Sequence, residues 1–439
     1  MKKQATKIVG GMFLIMFLGI ALVWAQAVRI PLIDMGSNTY LGFTGGLYPG
    51  ASNTVPADHD TAGLSFASQV QPLDINGNPI SNGKIVLLAV GMSNTAQEFC
   101  KLEGTTACHA ASFMSQAAAD SRVNKQTLVI VNGAKGAQTA TTWDSPLDAN
   151  YDRVRDIVLP SMGVGEKQVQ IIWLKVANPF PTISLSSGAS ADAYALETSI
   201  GNILRALKIR YPNIKQVFAS SRIYGGYSTG RGATLNPEPY AYESGFAFKW
   251  AIQAQIDQMS SGTIDAQAGD LNYTTVAPWI VWGPYLWADG TNPRSDGLVW
   301  LQTDFIIDGV HPSDTGVQKV GNMLLNFFLT SPYTTGWFLA GDVPTPFLSL
   351  SLSNPSTTTS QSSTITASTS DIKSGIVISF TTSLGSLTPN NCTTDLAGKC
   401  SVSFQSSTTG TATITVSASG YTASSTTIKV SSTPSRTAS

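Results

Sequence analysis

The chain has 439 residues, 42% of them hydrophobic, which is enough for a large core and gives room for two domains. It carries 26 basic against 27 acidic residues, a formal net charge of −1, and no basic run beyond residue 7, so its electrostatics exclude the usual signature of a nucleic-acid partner. Charged residues are only 12% of the total, while Ser, Thr, Gly and Asn are abundant, a balance that suits an exported protein with a polar, uncharged surface.

Lys2, Lys3 and Lys7 precede the apolar run "IVGGMFLIMFLGIALVWA" (8–25). This order predicts a secretory signal with cleavage after Ala25. The run is also close to the length of a bilayer span, so residues 1–25 are read as a signal peptide or an N-terminal anchor. Both place the remainder outside the cytoplasm, secreted or at the cell surface. Residues 26–83, rich in Gly, Pro and Asn, fit neither a helical nor a strand pattern and are expected to form a loop-and-hairpin lead-in.

From residue 84 to about 340, apolar runs alternate with helical patterns. The predicted strands are "KIVLLAV" (84–90), "TLVIVN" (127–132), "QVQIIWL" (168–174), "IKQVFAS" (214–220) and "WIVWG" (279–283). Continuous Val/Ile-rich runs are what strands buried on both faces of a parallel sheet require. The predicted helices include 191–212, where Leu196, Ile200, Ile203, Leu204 and Leu207 form one stripe, Asp192 is the expected cap and Pro212 the stop. A second covers 239–259, and a third starts near Ser313 with Val317, Val320, Leu324 and Phe328 on one face. The fold class is therefore α/β, a three-layer α/β/α domain with a mostly parallel sheet.

The composition changes after "VPTPF" (343–347), and residues 341–352 are read as a linker. Beyond it the chain is Ser/Thr-rich, yet "GIVISFTTS", "CSVSFQSS", "GTATITVSAS" and "STTIKVSS" alternate with period two between turn residues. That pattern predicts a small β-sandwich over 353–431, with 432–439 as a flexible tail; a disordered Ser/Thr stalk is the competing interpretation.

The four cysteines form two pairs of equal spacing, Cys100 with Cys108 and Cys392 with Cys400. In an oxidising compartment these are candidate disulfides. Neither spacing resembles a zinc site, and no metal or organic cofactor is expected.

One stretch raises a chemical question. In "VGMSNT" (90–95), Ser93 directly follows the first core strand, where Ser and Asn are common helix-start residues. A serine hydroxyl becomes a useful nucleophile only beside a base that takes its proton, usually a histidine held by a carboxylate. The chain has three histidines, and only His311, in "FIIDGVHPSDTG" (305–316), has an acid at turn spacing, Asp308. The apolar "FII" is expected to anchor and partly desolvate that turn. His59 and His109 have no recognisable partners and are expected at the surface or in loops.

An early "GMSN" after the first strand and a late "DGVHPSD" before the last helix resemble the SGNH/GDSL hydrolase superfamily across roughly residues 80–330. The resemblance implies Ser93 as nucleophile, His311 as base and Asp308 as its orienting acid. It also implies an oxyanion hole from the Ser93 N–H, a glycine N–H and an asparagine amide. "GAQTATTW" makes Gly136 the family glycine, with Gly133 as the alternative, and either could be an ordinary turn glycine. In "WLKVANPF" only Asn178 matches the family's asparagine block, and an Asn before Pro also forms turns. Met92 stands where the family usually has Asp. Carbohydrate-esterase branches depart there too and often carry an Asn after the serine, as Asn94 does here. That shifts the expected substrate toward small acylated, above all O-acetyl, esters on saccharides. The alternatives are a lipid esterase or thioesterase of the same fold, or a non-catalytic binding protein on a degenerate scaffold. Arg222, Tyr224, Tyr227, Tyr240 and Glu243 could line a sugar-sized pocket, although such residues more often pack. The C-terminal segment resembles bacterial Ig-like domains of the invasin/intimin type, which implies contact with a cell surface or polysaccharide.

Overall fold

In a computed structural model, the structure describes residues 29–100, 107–340, 347–369 and 373–433. The proposed signal or anchor at 1–25, the first half of the 341–352 linker and most of the 432–439 tail lie outside these residues.

Five parallel strands form the central sheet: β1 (Ile85–Gly91), β2 (Leu128–Asn132), β3 (Val169–Lys175), β4 (Gln216–Ala219) and β5 (Trp279–Trp282). Every residue of β1, β3, β4 and β5 is buried, because helices cover both faces of the sheet and neither can be polar. The strand order is β2-β1-β3-β4-β5. It reverses direction beside β1, and the crevice beyond the carboxyl ends of β1 and β3 is where such sheets hold ligands. Short α1 (Ser93–Phe99) follows β1 immediately, while α2 (Asp192–Arg210), α3 (Tyr240–Ser261) and α4 (Asp314–Thr330) are the longer helices of the layers.

Several expectations need correction. The lead-in contains the expected hairpin (Thr39–Tyr40 with Phe43–Thr44) but also a 12-residue helix, Ala57–Ser68. Only His59 and Gly63 of that helix are fully buried, and the face they share with the partly buried Ala62, Phe66 and Ala67 holds one large apolar side chain, too weak a stripe to betray it. His59 is itself not a surface residue: it is 3% exposed, and its Nε2–H donates to the Ile280 carbonyl of β5 at 2.8 Å. Asp192 does not cap α2 but begins it. Its carboxylate instead accepts the backbone N–H groups of Thr182 (2.6 Å) and Ile183 (2.7 Å), fastening the preceding loop.

The C-terminal unit is a two-sheet, mostly antiparallel sandwich, Ser356–Thr358 pairing parallel to Ser424–Ser431, with its own core that includes Ile365, Phe380, Phe404, Ile414 and Ile428. Its first strand, Leu348–Leu352, falls within the stretch expected to be linker and pairs with Ser362–Thr369. Leu348, Leu350 and Leu352 alternate with serines, which is strand periodicity hidden by Ser-rich composition. Cys100–Cys108 and Cys392–Cys400 are both disulfides.

Candidate active site

Each element of the site is delivered by the end of a strand or by a tight turn. β1 ends in Gly91, where a Cβ would lie 2.2 Å from the Lys175 carbonyl oxygen, so only glycine lets β1 and β3 end this close together. Met92 then takes the N-cap position with extended backbone, and Ser93 is the first residue of α1. The Ser93 hydroxyl makes no capping bond. It is 2.8 Å from His311 Nε2 instead.

The turn 305–312 holds the imidazole. Asp308 Oδ1 accepts the backbone N–H groups of Val310 (2.9 Å) and His311 (3.0 Å), and its Oδ2 accepts His311 Nδ1–H at 2.6 Å. With Nδ1 protonated, Nε2 is the lone-pair nitrogen and accepts from the Ser93 hydroxyl. Burial alone would push the Asp308 carboxyl up, but these hydrogen bonds outweigh it and hold the group below the usual carboxylate range. Gly309, at φ 65°, passes so close to the Tyr227 carbonyl that a Cβ would sit 1.8 Å from its oxygen. Of the apolar "FII", only Phe305 anchors the turn, at 6% exposure against Tyr227 and Trp300; Ile306 and Ile307 are 46% and 99% exposed.

Two buried side chains fix α1 in place. Asn94 donates from Nδ2 to the Val310 carbonyl at 2.9 Å, and Thr95 donates its hydroxyl to the Lys175 carbonyl at 2.6 Å. Deeper in the same helix, the fully buried Glu98 carboxylate binds the fully buried Lys175 ammonium through both oxygens.

Ser93 and His311 open into a cleft of about 320 Å³ that Asn178 also lines. This lies at the small end of the range for small-molecule sites, about 300–1,000 Å³. The Asn178 amide is oriented by its Nδ2 donating to the Asp192 carbonyl at 2.9 Å, and Asn236 donates to the Asn178 carbonyl at 2.8 Å. Gly136 does not itself line the cleft; the next residue, Ala137, does, at φ 61°. A Cβ on Gly136 would meet nothing within 4 Å, whereas one on Gly133 would lie 2.7 Å from the Ala89 carbonyl oxygen. Gly133 is thus a packing glycine at the β1–β2 boundary. Met92, Phe180, Leu235 and Val310 supply apolar wall, and Phe180 is 62% exposed at φ 47°.

The other residues weighed in the sequence divide. Arg222 lines the cleft. Tyr224 and Tyr227 pack on each other and on Trp287 and Phe305. Glu243 accepts from the Tyr40 hydroxyl and the Leu185 N–H, both at 2.9 Å, and is structural; Tyr240 lies beside it, behind Asn178. His109 pairs with Asp314 at 3.1 Å. The tether made by Asn94 and the burial of Arg222 lack a local sequence signal, since the first depends on the distant Val310 carbonyl and the second on the packing around the cleft.

No family model matches the chain, and no curated protein matches it. Among solved structures, its α/β part is similar to a GDSL-like lipase from Parabacteroides merdae, at 13% identity and TM-score 0.30, over 58% of this chain and 96% of that one. It is also similar to a carbohydrate acetylesterase from Sinorhizobium meliloti, at 14% identity and TM-score 0.31, over 55% and 97%. A further part is similar to the D00–D0 domain of intimin, at 17% identity and TM-score 0.19, over 21% of this chain and only 50% of that one. The fold assignment rests on the strand order and layers of the chain itself.

Proposed function

We propose that this protein is an exported serine esterase that hydrolyses small O-acyl esters, with O-acetyl groups on saccharides as the substrate class the sequence resemblance favours. The observation that carries this reading is the continuous relay from Ser93 through His311 to Asp308, with both hydrogen bonds in place. In the proposed reaction Ser93 Oγ attacks the ester carbonyl as His311 Nε2 takes its proton. Asp308 holds Nδ1–H and stabilises the imidazolium that forms. The developing oxyanion is met by the Ser93 N–H, by the second Nδ2–H of Asn178, and by an N–H of the Gly136–Ala137 pair. A donor of this kind typically contributes about a hundredfold or more in rate. His311 returns the proton to the departing alcohol, and water then repeats the sequence to free the acid.

The carbohydrate acetylesterase similarity accords with this reading but adds no weight to it. The disulfides suit an oxidising compartment, and the sandwich suits contact with a surface or polysaccharide. The test is hydrolysis of 4-nitrophenyl acetate by the wild type and by Ser93→Ala. Turnover lost in the variant, with an unchanged circular dichroism spectrum, supports the esterase; retained turnover sinks it. Turnover of long-chain esters above acetate would favour a lipid esterase instead.

A further inference from the structure

Arg222, directly beyond β4, is a cation in the cleft wall that the proposed reaction does not use. It is only 2% exposed, yet it lines the cleft shared by Ser93 and His311. Its Nε is buried without a hydrogen-bond partner among the described residues. The acids whose fields reach it are Glu98, Glu238 and Asp308, and each is held by other donors. Glu98 is bound through both oxygens by Lys175. Glu238 accepts from Trp287 Nε1 at 2.7 Å and from the Gly225 N–H at 2.9 Å. Asp308 is bound by the His311 ring and two backbone N–H groups. Burial pushes the guanidinium down, to about 10, so it remains a cation at neutral pH.

A desolvated cation without a bonded anion is costly, and its planar fork of donors matches a carboxylate. We propose that Arg222 selects esters that carry a carboxylate, either on the acyl chain or on the alcohol part, an inference that rests on the esterase reading above.

The experiment compares kcat/KM for two matched pairs. 4-Nitrophenyl hydrogen succinate against 4-nitrophenyl butyrate tests an acidic acyl chain, and 4-acetoxybenzoate against its methyl ester tests an acidic alcohol part. The acidic-to-neutral ratio of at least one pair should fall roughly tenfold or more in Arg222→Gln, with Arg222→Lys between. The pair that responds identifies the source of the carboxylate. Ratios unchanged in both pairs overturn the proposal. Should Arg222→Gln not fold, the wild type supplies the second readout. Competitive inhibition by 4-hydroxybenzoate or succinate stronger than by the matching amide, and weakened by salt, supports it; equal inhibition by acid and amide in both cases overturns it. Neutral esters turned over without acid selectivity remove this inference alone, whereas no turnover and no covalent labelling of Ser93 remove the esterase reading with it.

Discussion

Asn94 donates its side-chain amide to the carbonyl of Val310 at 2.9 Å, joining the residue after Ser93 to the residue before His311 across 216 positions of sequence. The bond is buried, with Asn94 1% exposed, so the spacing between hydroxyl and imidazole is set by this tether as well as by the two backbones. Asn94→Ala removes the tether and leaves a carbonyl without its partner, at a cost of about 1–3 kcal/mol in stability. Because the amide is held by the Val310 carbonyl and acts by positioning the relay, kcat for 4-nitrophenyl acetate should fall tenfold or more while KM changes little. A change in KM alone would contradict this role.

Asp308 is expected to act by fixing the imidazole. Asp308→Asn is nearly isosteric but can donate to His311 Nδ1, which favours the tautomer with its proton on Nε2, the wrong one for accepting from Ser93. Turnover should drop by about 10³–10⁴. The thermal midpoint should move far less than turnover does, because the turn keeps an acceptor for the Val310 and His311 N–H groups. Steady-state kinetics beside a melting curve checks both.

The Glu98–Lys175 pair supports the helix that carries Ser93 from below. Burial pushes the Glu98 carboxyl up and the Lys175 ammonium down, and their mutual contact opposes both shifts. Truncating one partner strands the other, so Glu98→Gln should destabilise by about 3–5 kcal/mol. The double change Glu98→Leu with Lys175→Met should cost much less than the sum of the single changes. Urea unfolding of Glu98→Leu, Lys175→Met and the double variant measures that coupling.

His59 gives a pH dependence independent of catalysis. Burial lowers its pKa from the usual 6.5 to about 4, and its Nδ1, once protonated, has no acceptor among the described residues. Between these values the unfolded chain binds the proton that the folded chain refuses. Its stability contribution is therefore complete above pH 6.5 and is lost as pH falls toward 4, about 3 kcal/mol in all. His59→Gln should be less stable near neutrality, where it loses ring packing against Trp279, but should show a flatter decline over this window. Parallel slopes for wild type and variant would contradict the assignment.

The sheet is legible in the sequence because its strands are continuous Val/Ile-rich runs that resemble nothing else in the chain. Ser93, Asp308 and His311 stand out because their chemistry is local: one serine after a strand, and an acid and an imidazole within one turn. What is illegible depends on tertiary context. The Ala57–Ser68 helix packs through a histidine, a glycine, two alanines and a single Phe66, a weak stripe, and Leu348–Leu352 hides strand alternation among serines. Ile306 and Ile307 look like anchors but point outward, while Arg222, weighed in the sequence as pocket lining or as packing, is both buried and part of the cleft wall. The glycine donor is the least legible part, because Gly133, Gly136 and Ala137 differ only in the backbone close to each.

The central claim is that His311 activates the Ser93 hydroxyl. The most direct measurement is intact-mass and peptide mapping after exposure to a fluorophosphonate, which reacts with an activated serine and spares ordinary ones. The account predicts one adduct, on the peptide containing Ser93, greatly slowed in His311→Ala. An unmodified protein, or an adduct elsewhere that is indifferent to His311, would contradict it.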